Sequence, residues 1–274
     1  MQLATFLKDG RWQPGLRRGD AIAEISASGE VNDIIGRYMD GQTLPEGKVH
    51  ALNDVRLGVP VPYPGKIVCM GLNYREHAKE GGNVIPDYPA IFLRAASSLI
   101  APDEPLIIPK CSPQLDYEAE LAIVIGRTIR NATQRDALAA VFGYACFNDG
   151  SVRNYQRKST QWTIGKNFDG TGAFGPWIVT ADELPPGAHG LSIRCRLNGQ
   201  TMQDGNTGDM IFSVARTVEI ISEAMTLRPG DVIITGTPAG VGYARKPPVF
   251  LKPGDVSEVE IEGIGVLRNP VANA

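Results

Sequence analysis

The segment Glu118-Ala-Glu120-Leu-Ala-Ile-Val-Ile-Gly126 constrains the fold more than any other stretch of this 274-residue chain. Its apolar, β-branched run stops at a glycine and predicts a strand. Residues two apart on a strand share a face, which sets Asp116, Glu118 and Glu120 side by side at the mouth of that strand. Like charges so close repel, and a carboxylate leaving water costs several kcal/mol unless something compensates. A hard divalent cation, which wants oxygen ligands, would do so. So would a solvated edge strand that uses acidic residues to discourage pairing. This segment alone leaves both readings open.

The rest of the composition narrows the function classes. A hydrophobic fraction of 43% suits a globular chain able to bury a full-sized core. The net charge is -3, with acids and bases mixed along the chain and no Lys/Arg cluster, so no nucleic-acid or membrane partner is expected. The first ten residues lack the pattern of a signal peptide, and no apolar run nears the roughly 20 residues that span a bilayer; the expectation is a cytoplasmic protein. Cys69, Cys111, Cys146 and Cys195 are far apart, with no C-x-x-C pair. They read as reduced thiols, three of them buried and Cys111 more accessible in its Pro/Ser-rich loop.

Residues 1–62 read as a small N-terminal α/β module, with alternating strands over Leu3–Phe6 and Ala21–Ile25 and a helix over Val31–Met39. The proline-dense stretch Gly58–Gly65 is a connector. Residues 63–274 form the larger unit. Within it, Ile67–Met70 predicts a buried strand, leading into Gly71–Glu80, a short helix or loop ended by Gly81-Gly82. Thr133 caps a helix carrying Ala137, Leu138 and Val141. Ile211, Val214, Val218, Ile221 and Met225 recur at helical spacing, with Asp209 near the start. Two Leu-x-Pro-Gly-Asp phrases, at 227–231 and 251–255, are turns that launch strands. Strands predominate and a βαβ pattern is missing, so the fold class is α+β with antiparallel or mixed sheet.

Several residues suggest chemistry. Asp149 ends the apolar run from Val141 and opens a polar stretch in which Arg153 and Gln156 follow at helical spacing. Arg153 either pairs with the carboxylates or, if a metal neutralises them, holds a substrate carboxylate in its planar fork. His77 and Glu80 stand at i, i+3, where a carboxylate on one ring nitrogen leaves the other as a base. His50 and His189 read as surface residues. So few histidines exclude a histidine-rich centre, and any metal is oxygen-ligated: Mg²⁺, Mn²⁺ or Ca²⁺ rather than Zn²⁺. Gly165–Pro176 reads as an ordered loop in which Lys166 faces solvent or a site. Thr235–Gly242 lacks a phosphate-loop lysine, yet its glycines let backbone amides approach a small anion.

Taken in order, these phrases resemble the fumarylacetoacetate hydrolase superfamily over roughly residues 66 to 271. They are Gly71-Leu-Asn-Tyr74 with His77-Ala-Lys-Glu80, Asp116-Tyr-Glu-Ala-Glu120, and Asn148-Asp149 with Ser151, Arg153 and Gln156. Gly165-Lys-Asn-Phe-Asp169 with Gly175-Pro176 follows, then Asn198-Gly199 with Asn206-Thr207 and Met210, and Thr235-Gly-Thr-Pro-Ala-Gly-Val-Gly242. The resemblance implies a mixed β-sandwich roll, usually dimeric, resembling two-module bacterial acylpyruvate hydrolases. It implies that Glu118, Glu120 and Asp149 bind Mg²⁺ or Mn²⁺, with Ca²⁺ able to stand in for them in a crystal. His77 and Glu80 would be catalytic on a mobile lid together with Lys166, and Arg153, Gln156 and Thr237 would contact the substrate. Departures from the family pattern at Arg94, Ala95, Gly150, Asn154 and Ala173 bear on the substrate rather than the metal.

The function this implies is hydrolysis of a C–C bond in an acylpyruvate, a 2,4-diketo acid such as fumarylpyruvate, within aromatic or sugar catabolism. Oxaloacetate decarboxylation and isomerisation or hydration of a 2-hydroxydienoate use the same metal and enolate chemistry. A catalytically silent metabolite-binding protein is the non-enzyme alternative, and the intact set of carboxylates, His77 and Lys166 speaks against it. The expected partners are a small-molecule 2-oxo acid and a second copy of the chain in a homodimer.

Overall fold

The apolar run lies in a strand, Ala119–Ile125, that is buried at every residue. Leu121, Ile123 and Ile125 enter one core, while Ala122 and Val124 enter another on the opposite face. A strand covered on both faces has no reason to alternate with polar residues. The computed structural model describes residues 1–26, 29–82 and 84–274. Ala119–Ile125 sits inside a twelve-stranded sheet, between Val141–Asp149 and Val232–Ile234. Ile67–Gly71 and Ala90–Arg94 continue that sheet on one side and Gly172–Thr180 on the other. A second sheet of five strands runs Gln200–Asn206, Ser192–Leu197, Val256–Ile261, Gly265–Asn273, Leu106–Ile108. Its Ile193, Cys195, Val259, Ile261 and Leu267 close the first core, so the molecule is a mixed α+β sandwich with few helices.

The N-terminal strands extend this same sheet: Gln2–Lys8 pairs antiparallel with Gly172–Thr180, Leu3 opposite Ile178. Helix Val31–Met39 buries Ile34 and Ile35 in the second core. Both Leu-x-Pro-Gly-Asp phrases launch strands through one geometry. Asp231 accepts from Arg228 N at 2.8 Å and Asp255 from Lys252 N at 2.8 Å, while Gly230 and Gly254 take the positive φ of 82° and 88° that such a turn needs. Among the described residues, no helix is long and apolar enough to cross a membrane.

Four expectations change. The long helix is confined to Val214–Ala224 and capped by Ser213, because Asn73 accepts from Ile211 N and Phe212 N at 2.8 and 2.7 Å and holds that entry extended. The helix capped by Thr133 ends early, and Val141 opens a strand instead. The glycine-rich stretch is not all loop, since Gly172–Pro176 is strand interior; a Cβ at Gly172 would lie 2.8 Å from the Arg94 guanidinium. His50 is 8% exposed rather than a surface residue, and its Nε2 lies 2.7 Å from Glu24. Cys69, Cys146 and Cys195 are buried and Cys111 exposed, all free.

Candidate metal centre and active-site cavity

Strand register brings the three acids together. Asp149 N donates to Glu118 O at 2.9 Å, and Glu120 lies opposite Phe147. Glu118 and Glu120 share a face by alternation, and Asp149, directly across from Glu118, shares it too. Their carboxylate oxygens lie within 4.8 Å of one another, and all three residues are buried. Asp116 parts from them. The chain breaks out of the strand at Tyr117–Glu118, and Asp116 belongs to a separate two-residue strand, Leu115–Asp116, paired with Ser151–Val152.

The acids are compensated unequally. Glu118 accepts from Arg153 Nη2 at 2.8 Å, from Ser151 Oγ at 2.9 Å and from the Lys166 ammonium. Asp149 is bonded by Arg94 and by Lys166 Nζ, the latter at 2.5 Å. Burial works against ionised Glu118, yet the charges of Arg153 and Lys166 outweigh it and hold its carboxyl well below the usual range. Burial first, and then the charges of Asp149 and Glu118, push Glu120 well above it. Among the described residues Glu120 has no cationic partner, only Gly236 N at 2.5 Å. Four buried carboxylates, counting Asp116, thus meet three buried cations, Arg94, Arg153 and Lys166. An oxygen-only cluster with one uncompensated charge fits a divalent cation that prefers oxygen ligands. Glu118, Glu120 and Asp149 could hold one.

The glycine-rich loop after Val232–Ile234 turns its amides on the protein's own acids rather than on a foreign anion. Gly236 N serves Glu120, Gly240 N serves both oxygens of Glu80 at 3.0 and 3.1 Å, and Gly242 N and Tyr243 N serve Asp116 at 2.9 and 3.0 Å. Glu80 in turn faces His77 Nδ1 at 3.4 Å, from helix Arg75–Glu80. Burial opposes the Glu80 charge, but His77 and the Gly240 amide prevail and lower its pKa, so it stays a carboxylate, and a carboxylate beside Nδ1 favours the tautomer whose Nε2 lone pair is free. That cavity, about 220 Å³, is lined by His77, the three acids, Lys166 and Thr237 among others.

The family model described as fumarylacetoacetate (FAA) hydrolase C-terminal matches residues 66–272. The chain belongs to this family. It is 40% identical to a 2,4-didehydro-3-deoxy-L-rhamnonate hydrolase from Sphingomonas sp. (strain SKA58), over 99% of this chain and 96% of that one. It is 43% identical to the mitochondrial oxaloacetate tautomerase FAHD2A of Homo sapiens, over 91% and 79%. Among solved structures, fumarylacetoacetate hydrolase from the psychrophile Exiguobacterium antarcticum superposes with a TM-score of 0.89 at 38% identity. Maleylpyruvate hydrolase from Sphingobium sp. SYK-6 does so with 0.82 at 31%, both pairs matching over the full length of each chain.

Several of the cavity residues also have partners within the protein. Every nitrogen of Arg153 is engaged within the protein: Nε with Asp116 at 2.8 Å, Nη2 with Glu118 and Nη1 with Gln156 Oε1 at 2.9 Å. Thr237 Oγ1 is likewise tied, donating to Ala119 O at 2.9 Å and accepting from Gln203 at 2.7 Å. Arg94 sits behind Asp149 and also donates to Thr171 Oγ1 at 2.9 Å. Its signal in the sequence was an arginine on the inward face of the strand Ala90–Arg94, in step with buried Phe92. Asn73 is one letter of a motif in the sequence, and its side chain joins Phe212 and Thr235 across the sheet edge. Ser151 Oγ donates to Glu118, and nothing in its local sequence signals that contact. Arg157 and Tyr243 also line the cavity, and nothing in their local sequence signalled it.

Proposed function

We propose that the protein is a divalent-metal-dependent hydrolase that cleaves the C–C bond of an acylpyruvate into pyruvate and a carboxylic acid. The observation that carries this is a proton-moving pair, His77 with Glu80 pinned by Gly240, opening into the cavity of the three carboxylates. A cation held by Glu118, Glu120 and Asp149, Mg²⁺ or Mn²⁺ by their oxygen chemistry, would act as Lewis acid toward the 2-oxo oxygen and stabilise charge developing there. His77 Nε2 takes a proton from water as its oxygen attacks the 4-carbonyl carbon. The C3–C4 bond then breaks, its electron pair passes to C3, and His77 returns the proton there. Lys166, buried and with its pKa raised by Asp149 and Glu118 against the effect of burial, remains a cation beside the reacting oxygens. Arg153 positions Glu118 and Gln156, and Gln156 and Thr237 border the substrate.

Similarity to a 2,4-didehydro-3-deoxy-L-rhamnonate hydrolase and a maleylpyruvate hydrolase supports this reading. Resemblance to the oxaloacetate tautomerases favours one other, in which the same pair only moves a proton between carbon and oxygen. The protein would work as a cytoplasmic homodimer. Incubating it with Mg²⁺ or Mn²⁺ and a panel of acylpyruvates and oxaloacetate tests the proposal, with pyruvate and carboxylic acid released in equal amounts as the expected result. Keto–enol interconversion with no pyruvate from any acylpyruvate would transfer the assignment to tautomerisation.

A further inference from the structure

Among the cations that line the cavity, Arg153 and Lys166 are neutralised by carboxylates and His77 faces Glu80. Arg157 is not. Among the described residues its guanidinium has no hydrogen-bond or ion-pair partner; its contact is with the Tyr243 ring, 4.5 Å from the centroid. Arg153 approaches the same ring at 4.4 Å, so two guanidinium groups share one aromatic platform while the inner one alone is charge-balanced. A guanidinium held against a ring and unpaired keeps its N–H groups available, and its planar fork can read a carboxylate bidentately. Arg157 N bonds Arg153 O at 3.2 Å, so Arg157 follows the arginine that touches Glu118 by one turn of backbone, and its side chain is exposed where that of Arg153 is buried. It therefore stands at the mouth of the cavity, with Arg153 inside.

We infer that Arg157, held by Tyr243, determines specificity by binding a second carboxylate at the far end of the substrate, so that the protein takes 2-oxo acids with an acidic terminus in preference to neutral ones. The inference rests on the proposed reading only in taking the three-carboxylate end as the seat of the 2-oxo acid group. It concerns recognition, and binding tests it without turnover. Calorimetry on the Mg²⁺-loaded protein compares 2-oxoglutarate with 2-oxopentanoate, equal in chain length and differing only in the terminal carboxylate. The wild type binds 2-oxoglutarate more tightly, and Arg157→Gln reduces the ratio of the two affinities by about tenfold or more, as expected for a charge-assisted hydrogen bond. Arg157→Lys, which keeps charge but loses the fork, retains part of the preference. Equal weakening of both ligands would overturn the inference, because Arg157 would then serve the shared end or the fold, and so would an unchanged ratio. If the selectivity appears but no acylpyruvate is cleaved, the hydrolase reading fails and the inference stands.

Discussion

Glu120→Gln separates what the acidic cluster does for the fold from what it does for chemistry. Glu120 is 2% exposed, faces Asp149 and Glu118, and among the described residues has the Gly236 amide as its one hydrogen-bond partner, with Lys166 offsetting its charge only from a distance. A glutamine keeps the shape, and its amide oxygen can still accept from Gly236 N. Keeping an incompletely compensated charge buried beside like charges costs at least the roughly 1–3 kcal/mol of a buried polar group left without its partner; the variant removes that charge in metal-free protein, and near-complete burial leaves little solvent to screen it. At about 2–4 °C per kcal/mol for a chain near this size, melting in EDTA rises by roughly 2–12 °C. The sign also follows from pH. The folded-state pKa of Glu120 is raised by burial and by its acidic neighbours, so its contribution to stability is full below the unfolded pKa and is lost as pH climbs through the folded one. The advantage of the variant is therefore small in acid and grows toward neutral pH. Added Mg²⁺ reverses the ranking, because wild type gains about 2.7 kcal/mol at a hundredfold excess over its Kd and the variant little. Calorimetric melts at several pH values, with and without Mg²⁺, decide the matter. A variant that melts below wild type in EDTA at neutral pH, or gains as much from Mg²⁺, would refute the reasoning.

Two further perturbations probe the surroundings. His77→Ala lowers turnover by about 10²–10⁴-fold, the usual contribution of a general acid–base group, while the affinity for oxalate stays close to wild type by calorimetry; undiminished turnover would remove His77 from the chemistry. Arg94→Met strips Asp149 of one buried cation and destabilises the protein by about 3–5 kcal/mol in denaturant titrations, as removal of one partner of a buried ion pair does; a loss below about 1 kcal/mol would mean that Lys166 alone suffices.

The readable part of the site was the part written in local order. Glu118 and Glu120 share a face because strands alternate, and that was visible from the apolar run that follows them. His77 and Glu80 meet because a helical turn brings i and i+3 together. Arg153 reaches Gln156 for the same reason. Local order also misled. Asp116 kept the spacing of the pair but not its strand, and Gly172–Pro176 looked too rich in glycine for a strand that needs Gly172 bare beside Arg94. The amides of Gly236, Gly240 and Gly242 were foreseen as donors to an anion, but their acceptors, Glu120, Glu80 and Asp116, are distant in sequence.

By itself, the sequence determined a strand-rich α+β chain, singled out Glu118, Glu120, Asp149, His77 and Glu80 as candidates, and carried a strong resemblance to one hydrolase family. Periodicity and turn chemistry act over a few residues, and motifs need only order. Tertiary structure decided which charges are spent and which are left over. Register set Asp149 across from Glu118, Arg94 and Lys166 closed on it, Arg153 was bonded to the protein's own acids, and among the described residues Glu120 and Arg157 were left without ion-pair partners. Charge balance in a buried cluster depends on which groups lie within a few ångströms, and only the folded chain sets those distances.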